Sequence, residues 1–405
     1  MKKICVLILI CLPVVAYNQI KDRPVIIGKI DSLYSKALNE SRPYWVYLPQ
    51  NDATNFFQPG RYPVLYLLDG DAHFHSVSGL VQILSSGING TFVIPEMIVI
   101  GIPNTDRTRD LTPTHSDKSI DGKEVKNFKT SGGGNNFLKF LKEELIPHID
   151  SAYTTLPYRV LVGHSIGGIT VINALYTMPD LFNAYVAIDP SLWWDQQVLL
   201  QKGKTFFRDN NLTHKSLFLA QANTISVEDP NTIKHFEPIK EFAKLLETNN
   251  RSGLRWRYKY YDNDRHGSVA LIAEYDGLRF IFDSYNTRFK IGMSPEKLKN
   301  HFQGFSEETN VNFTPPEAII NSLGNEALFS EKYDLALHYF QMSIDFYPQS
   351  SNAYSSMGEA WTKKGDVKKA IEYYEKSLKL NPQNENAKAK IKKLKEQPVE
   401  KVNNQ

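Results

Sequence analysis

Short apolar runs alternate with longer amphipathic stretches through most of the chain, and that alternation predicts its elements. Residues 44–49, 63–69 and 97–102 read as strands. The second is so continuously apolar that it belongs inside a sheet covered on both faces. Phe137, Phe140, Leu141, Leu145 and Ile149 share one face of a helix over 137–149. Strand 158–162, helix 166–176, strand 184–188, strand 216–222, helix 236–246 and strand 255–261 continue the series. Strands that alternate with helices imply a mostly parallel sheet with helices on both faces, which places the chain in the α/β class.

The pattern changes at about residue 316. Gly324, Ala336, Phe340 and Pro348 recur 34 positions later as Gly358, Ala370, Tyr374 and Pro382. A 34-residue period with these residue types marks a tetratricopeptide repeat, in which small residues let paired helices pack closely and proline ends the second helix. The expected organisation is a leader over 1–19, an α/β domain over 20–290, a connecting helix and linker over 291–315, and two repeats with a capping helix over 316–397. Two repeats fall short of the three or so that bury a continuous core, so the module is expected to lean on the α/β domain or on a second subunit.

The leader has Lys2 and Lys3 followed by an apolar stretch from Ile4 to Ala16, too short for a bilayer span of about 20 residues. It reads as a secretory signal, so the mature protein is expected in the periplasm or secreted, with no stable membrane insertion. Both cysteines, Cys5 and Cys11, lie inside it, which leaves no disulfide or thiolate chemistry to the mature chain. Losing the two lysines takes the formal charge from +3 to +1. With no long basic run, nucleic acid is not an expected partner.

Chemistry concentrates at Gly163-His164-Ser165-Ile166-Gly167. It directly follows the strand at 158–162 and directly precedes a helix, the context that a G-x-S-x-G nucleophile elbow requires. This is the α/β-hydrolase fold with Ser165 as nucleophile. A serine hydroxyl needs a base within hydrogen-bond reach, and His266 lies in a polar loop just after the strand at 255–261, where the base belongs. The acid is expected after the strand at 216–222, as Glu228 or alternatively Asp229, with a Ser–His dyad left open. Backbone N–H groups of Ile166 and Asp71 are the expected oxyanion donors. Trp193, Trp194 and Arg107 are candidates for substrate binding, the arginine for an anionic group. His73 and His75 have a spacing that suits a metal on a strand, but a loop beside the active site accounts for them equally well. No metal or cofactor is implied.

These residues resemble a known family. The stretches 66–71 and 95–99, Asn104 with Asp106 to Asp110, the elbow, Ser191-Leu192-Trp193-Trp194 and His266-Gly267-Ser268 are similar to the "Putative esterase" family of α/β-hydrolases, which includes esterase D-like enzymes, ferri-siderophore (enterochelin) esterases, feruloyl esterases and mycolyl transferases. The resemblance spans about residues 24–288 and implies cleavage of carboxylic esters through a serine acyl-enzyme. Its Ser-Leu-Trp-Trp stretch is nearest to the siderophore-esterase branch, so a ferri-siderophore ester is the expected small-molecule substrate. A feruloyl or acetyl carbohydrate ester is the alternative. A reading of another class is an interaction protein whose repeats bind a protein partner or a second copy while the hydrolase fold is a scaffold.

Overall fold

The computed structural model describes residues 24–49, 60–87, 91–249, 252–288 and 292–396. The leader at 1–19 lies outside the described residues. In chain order the elements of the α/β part are β1 (Lys29–Ser35), β2 (Glu40–Tyr47), β3 (Tyr62–Leu68), α1 (Gly70–Ser85), β4 (Thr91–Phe92), β5 (Ile98–Ile102), α2 (Arg107–Leu111), α3 (Gly134–Phe140), a π-helical turn (Leu141–Leu145) and α4 (Ile146–Ala152). They continue with β6 (Thr155–His164), α5 (Ile166–Thr177), β7 (Ala184–Ile188), α6 (Trp194–Asp209), β8 (Ser216–Ala222), α7 (Thr232–Asn249), β9 (Arg255–Tyr261), α8 (Val269–Ile281) and β10 (Thr287–Arg288). The helix expected over 137–149 is the α3–π–α4 run. Strand β1 and helices α1, α6 and α8 add to the elements that patterning singled out.

Among the described residues one sheet has eight strands in the order β1-β2-β5-β3-β6-β7-β8-β9. Within this sheet β1–β2 and β2–β5 pair antiparallel and the other five pairs are parallel, so a mostly parallel α/β sheet is what the chain forms; β4 and β10 pair antiparallel apart from it. Along β3, Val64, Tyr66 and Leu68 enter one core, and Leu65 and Leu67 enter the other. That two-sided burial is the physical reason its sequence is continuously apolar. The first core packs against α3 to α7, and the second against α1 and α8.

The second core does not stop at the sheet. Helix α9 (Pro295–Thr309) inserts Leu298, Phe302 and Phe305 into it, followed by Val311 and Phe313. Helix α10 (Glu317–Phe329) adds Ile319, Ile320 and Leu323, and α11 (Tyr333–Phe346) adds Tyr339. The rest of the repeat array is α12 (Ser351–Lys364), α13 (Val367–Leu380) and α14 (Glu385–Glu396). A Cβ on Gly324 would lie 2.5 Å from the Phe340 ring, and one on Gly358 would lie 3.0 Å from Tyr374. The 34-residue recurrence of Gly and an aromatic is therefore the footprint of two equivalent close crossings. The helical repeats are built as the sequence implies, and they lean on the sheet.

A charged network fixes the polar stretch that precedes the site. Arg42 of β2 is almost wholly buried and pairs with Glu40 at 2.9 Å and with Asp110 of α2, while Arg109 reaches Glu40 at 2.7 Å and Asp110 at 2.7 Å. The Arg109 hydrogen bond, opposed by burial and reinforced by Arg42, holds the Glu40 carboxyl down at about 2. A carboxylate with a depressed folded-state pKa contributes stability above its unfolded value, and that contribution disappears as the pH falls through the folded value.

Two outcomes follow from this packing. The Tm difference between wild type and Glu40→Gln, present at pH 7, is expected to close as the pH falls from about 4.5 towards 2; a difference constant over that range excludes the ionised role. Phe305 has ring neighbours Tyr285 at 5.5 Å and Phe313 at 4.7 Å. Phe305→Ala is expected to cost about 3–5 kcal/mol and to lower the Tm of one shared transition. A calorimetric trace in which the repeats melt apart from an undisturbed α/β part contradicts the shared core.

Candidate active site

Three neighbouring strands end in left-handed residues. Asp69 after β3 has φ 53°, Ser165 after β6 has φ 60° and Asp189 after β7 has φ 40°. Non-glycine residues in this region cost about 1–3 kcal/mol each and persist where the surroundings over-determine them. At the elbow the cause is steric. A Cβ on Gly163 would fall 2.4 Å from the carbonyl oxygen of Gly167, so the strand and the first turn of α5 approach as closely as backbone permits. The turn leaves Ser165 proud of the sheet at the N-terminus of α5.

His266, in the loop after β9, brings Nε2 to 3.0 Å from Ser165 Oγ. Its Nδ1 lies 2.6 Å from Oδ2 of Asp189. The carboxylate on the histidine is thus neither of the two expected. Glu228 and Asp229 are exposed, and Asp229 Oδ1 accepts from the N–H of Asn231 in a local turn. The expectation failed because it looked after β8, the usual station of the acid. Here Asp189 ends β7, the strand beside the nucleophile strand, and is already within reach. The signal was available: Asp189-Pro190-Ser191 closes an apolar strand with three residues that no packing pattern calls for.

Asp189 has no exposed surface. Burial pushes its pKa up, but hydrogen bonds from His235 (Nε2 to Oδ2, 3.0 Å), from His266 and from the Ala222 N–H (2.9 Å) outweigh burial and hold the carboxyl well below the usual range. Asp189, His235 and His266 bring donor atoms close enough for a metal ion. In this arrangement one nitrogen of each ring shares a hydrogen bond with Asp189, and the set reads as a proton-bearing network. Ser191 also reaches the nucleophile, with Oγ 3.2 Å from Ser165 Oγ. Patterning did not find His235 or Ser191.

His164, the variable residue of the elbow, has its ring 4.6 Å from that of His266 and its Nε2 2.8 Å from the His266 carbonyl oxygen. Burial, then the neighbouring His266 and His73, push its pKa down to about 4. It is neutral at pH 7 and donates Nε2–H to that carbonyl, pinning the loop of His266 to the elbow. His73 is on α1 and bonds Glu274 of α8 at 3.0 Å, which raises its pKa against the opposing effect of burial. On a helix His73 and His75 face different directions, and the spacing that suits a strand metal site has no meaning there.

Ile166 and Asp71 are the first and second residues of α5 and α1, so their N–H groups have no acceptor within their own helices. Arg107 does not face substrate freely. Its Nε and Nη2 clasp Asp69 at 2.6 and 2.9 Å, and Nη2 also meets the His164 carbonyl at 3.3 Å. The expected anion binder is a clamp that ties the cap of α1 to the elbow. Trp194 is likewise no cleft wall: it is 1% exposed, and its Nε1–H donates to the Thr114 carbonyl at 3.1 Å. Trp193 does line the cleft, a space of about 430 Å³ above Ser165 and His266, together with Ile120, Asn223, Thr224, Asn231 and Arg265.

The sequence pattern of the family described as "Putative esterase" matches residues 35–266, more than half of the chain, and the chain belongs to that family. A tetratricopeptide repeat matches residues 351–384. The enzyme is a carboxylic-ester hydrolase of the serine type. It is similar to the ferri-bacillibactin esterase BesA of Bacillus subtilis, 29% identical over 60% of this chain and 86% of that protein. The siderophore triacetylfusarinine C esterase of Aspergillus fumigatus is 28% identical over 38% of this chain and 53% of its own length. Among solved structures, an IroE-like serine hydrolase of Shewanella oneidensis superposes with a TM-score of 0.70 at 32% identity, covering 79% of this chain and 99% of that one. No helix among the described residues is long and apolar enough to cross a membrane.

The geometry around His266 generates a paired expectation. Asp189→Asn is expected to lower kcat by about 10³–10⁴ on an activated aryl ester, and Glu228→Gln to stay within about twofold of wild type. Steady-state kinetics of the two variants side by side checks both; a full-rate Asp189→Asn enzyme assigns the acid elsewhere.

Proposed function

We propose that the protein hydrolyses ester bonds of a siderophore in an exported compartment, with Ser165 as nucleophile, His266 as general base and Asp189 as the acid. The single observation that carries the chemistry is the unbroken line of hydrogen bonds from Ser165 Oγ through His266 to buried Asp189. Ser165 Oγ adds to the ester carbonyl while its proton passes to His266 Nε2. The oxyanion is received by the N–H groups of Ile166 and Asp71, and Asp189 holds the imidazolium by its Nδ1–H. His266 then gives the proton to the leaving alkoxide, the C–O bond breaks and the acyl group stays on Ser165. Water repeats the sequence in the second half, losing a proton to His266 as it adds to the acyl carbonyl, and the acid departs as Ser165 recovers its hydrogen.

The substrate class is supported by the names of the relatives, a ferri-bacillibactin esterase and a triacetylfusarinine C esterase. The cleft suits such a ligand, with Trp193 and Ile120 offering apolar contact and Asn223, Thr224 and Asn231 offering polar groups at its rim. Export is supported by Lys2 and Lys3 ahead of the apolar stretch 4–16. The repeats supply a surface for a protein partner or for a second copy.

The test is a panel of short-chain aryl esters, iron-loaded and iron-free siderophore esters and feruloyl sugars, run with wild type and Ser165→Ala. Wild type is expected to show its highest kcat/KM on a siderophore ester, and Ser165→Ala to lose roughly 10⁶ in kcat. Higher kcat/KM on feruloyl sugars would move the substrate class to carbohydrate esters. Equal rates for both proteins on every ester would sink the hydrolytic assignment to Ser165.

A further inference from the structure

One buried titratable group takes no part in the reaction as derived. His235 is 8% exposed and stands in the first turn of α7, just past the loop whose Asn223, Thr224 and Asn231 line the cleft. Its Nε2 is 3.0 Å from Asp189 Oδ2, the same oxygen that accepts from His266 Nδ1. The two rings stand edge to face, with centroids 4.9 Å apart. Asp189 Oδ1 is taken by the Ala222 N–H. Three donors from three elements, the end of β8, the loop after β9 and α7, thus converge on one carboxylate.

We propose that His235 is a positioning residue of the triad: its Nε2–H fixes the Asp189 carboxylate, and with it the tautomer and tilt of His266, and ties that carboxylate to the wall of the substrate cleft. The inference rests on the reading of Ser165 and His266 as nucleophile and base. With only Ala222 and His266 bonded to it, the carboxylate could turn with the base it is meant to orient. A donor from a separate helix removes that freedom. It also withdraws charge from the oxygen facing His266, so the imidazolium formed in the reaction is held less tightly than by a carboxylate bonded to His266 alone.

Asp189 and His266 touch His235, Lys234 and Glu237 flank it on α7, Arg265 and Asp229 line the same cleft, and Tyr258 on β9 feels the Asp189 charge. Burial pushes the Tyr258 hydroxyl up to about 12, so it stays neutral through the working range.

The test compares His235→Phe, which keeps a ring without the N–H, with His235→Gln, which keeps an N–H donor. On an activated aryl ester His235→Phe is expected to lose about 10-fold to 100-fold in kcat, with KM changed by less than about twofold. The acid limb of its kcat/KM profile is expected to move about one pH unit upward, because Oδ2 regains the charge that the donor withdrew. His235→Gln is expected to return most of the rate and the wild-type limb. A folded His235→Phe with wild-type kcat and an unmoved limb overturns the proposal. So does equal loss in both variants with the limb in place, which assigns His235 a packing role. Should His235→Phe not fold, His235→Gln is compared with His235→Ser, whose hydroxyl is too short to reach Asp189; identical rates and limbs in that pair overturn the proposal as well. Ser165→Ala in the same assay separates the two levels, since full activity there removes the underlying reading whatever His235 does.

Discussion

A carboxylate with no exposed surface has to be surrounded by donors or lose its charge, and Asp189 is the point at which that requirement organises this molecule. The backbone N–H of Ala222, the ring of His266 and the ring of His235 all turn towards it. To deliver them, β8 must lie beside β7, the loop after β9 must fold back over the strand ends, and α7 must start where the cleft wall stops. Parallel strands with their C-terminal ends at one edge make this convergence possible, because loops far apart in sequence open onto the same strip of surface. Ser165 then needs only the neighbouring strand β6 to stand beside His266.

A second layer of charge holds the opposite side of the site. Arg107 clasps Asp69 and touches the carbonyl of His164, joining the cap of α1 to the elbow. Arg42, Glu40, Arg109 and Asp110 hold α2 in place, and α2 carries Arg107. Arg107, which looked like a greeting for an anionic ligand, is spent on architecture, and so is its neighbour Arg109. Sequence alone does not tell these uses apart, because the partners lie 38 and 69 positions away.

Much of the fold was legible because it rests on local periodicity. The apolar strands, the elbow helix and the 34-residue repeat are each written within a short window. That Ser165 and His266 would meet was readable for the same reason, through an elbow with its flanking strand and helix and a polar loop at a strand end. The carboxylate beside His266 was not, because which one arrives there is a matter of which strands lie side by side. Asp189 and Glu228 both follow apolar strands, and the order of strands in the sheet decides which of them reaches His266. Trp194 shows the same limit at the level of one side chain. Trp193 and Trp194 are adjacent and alike, yet Trp194 packs into the core against Phe128 with its N–H on Thr114, while Trp193 lines the cleft.

The left-handed backbone at Asp69, Ser165 and Asp189 has an evolutionary corollary. Glycine would relax each of the three positions, yet glycine carries neither a hydroxyl nor a carboxylate. Selection for robustness alone would therefore favour losing these side chains, and their presence in so awkward a posture trades a sturdier fold for a hydroxyl and two carboxylates at the strand ends.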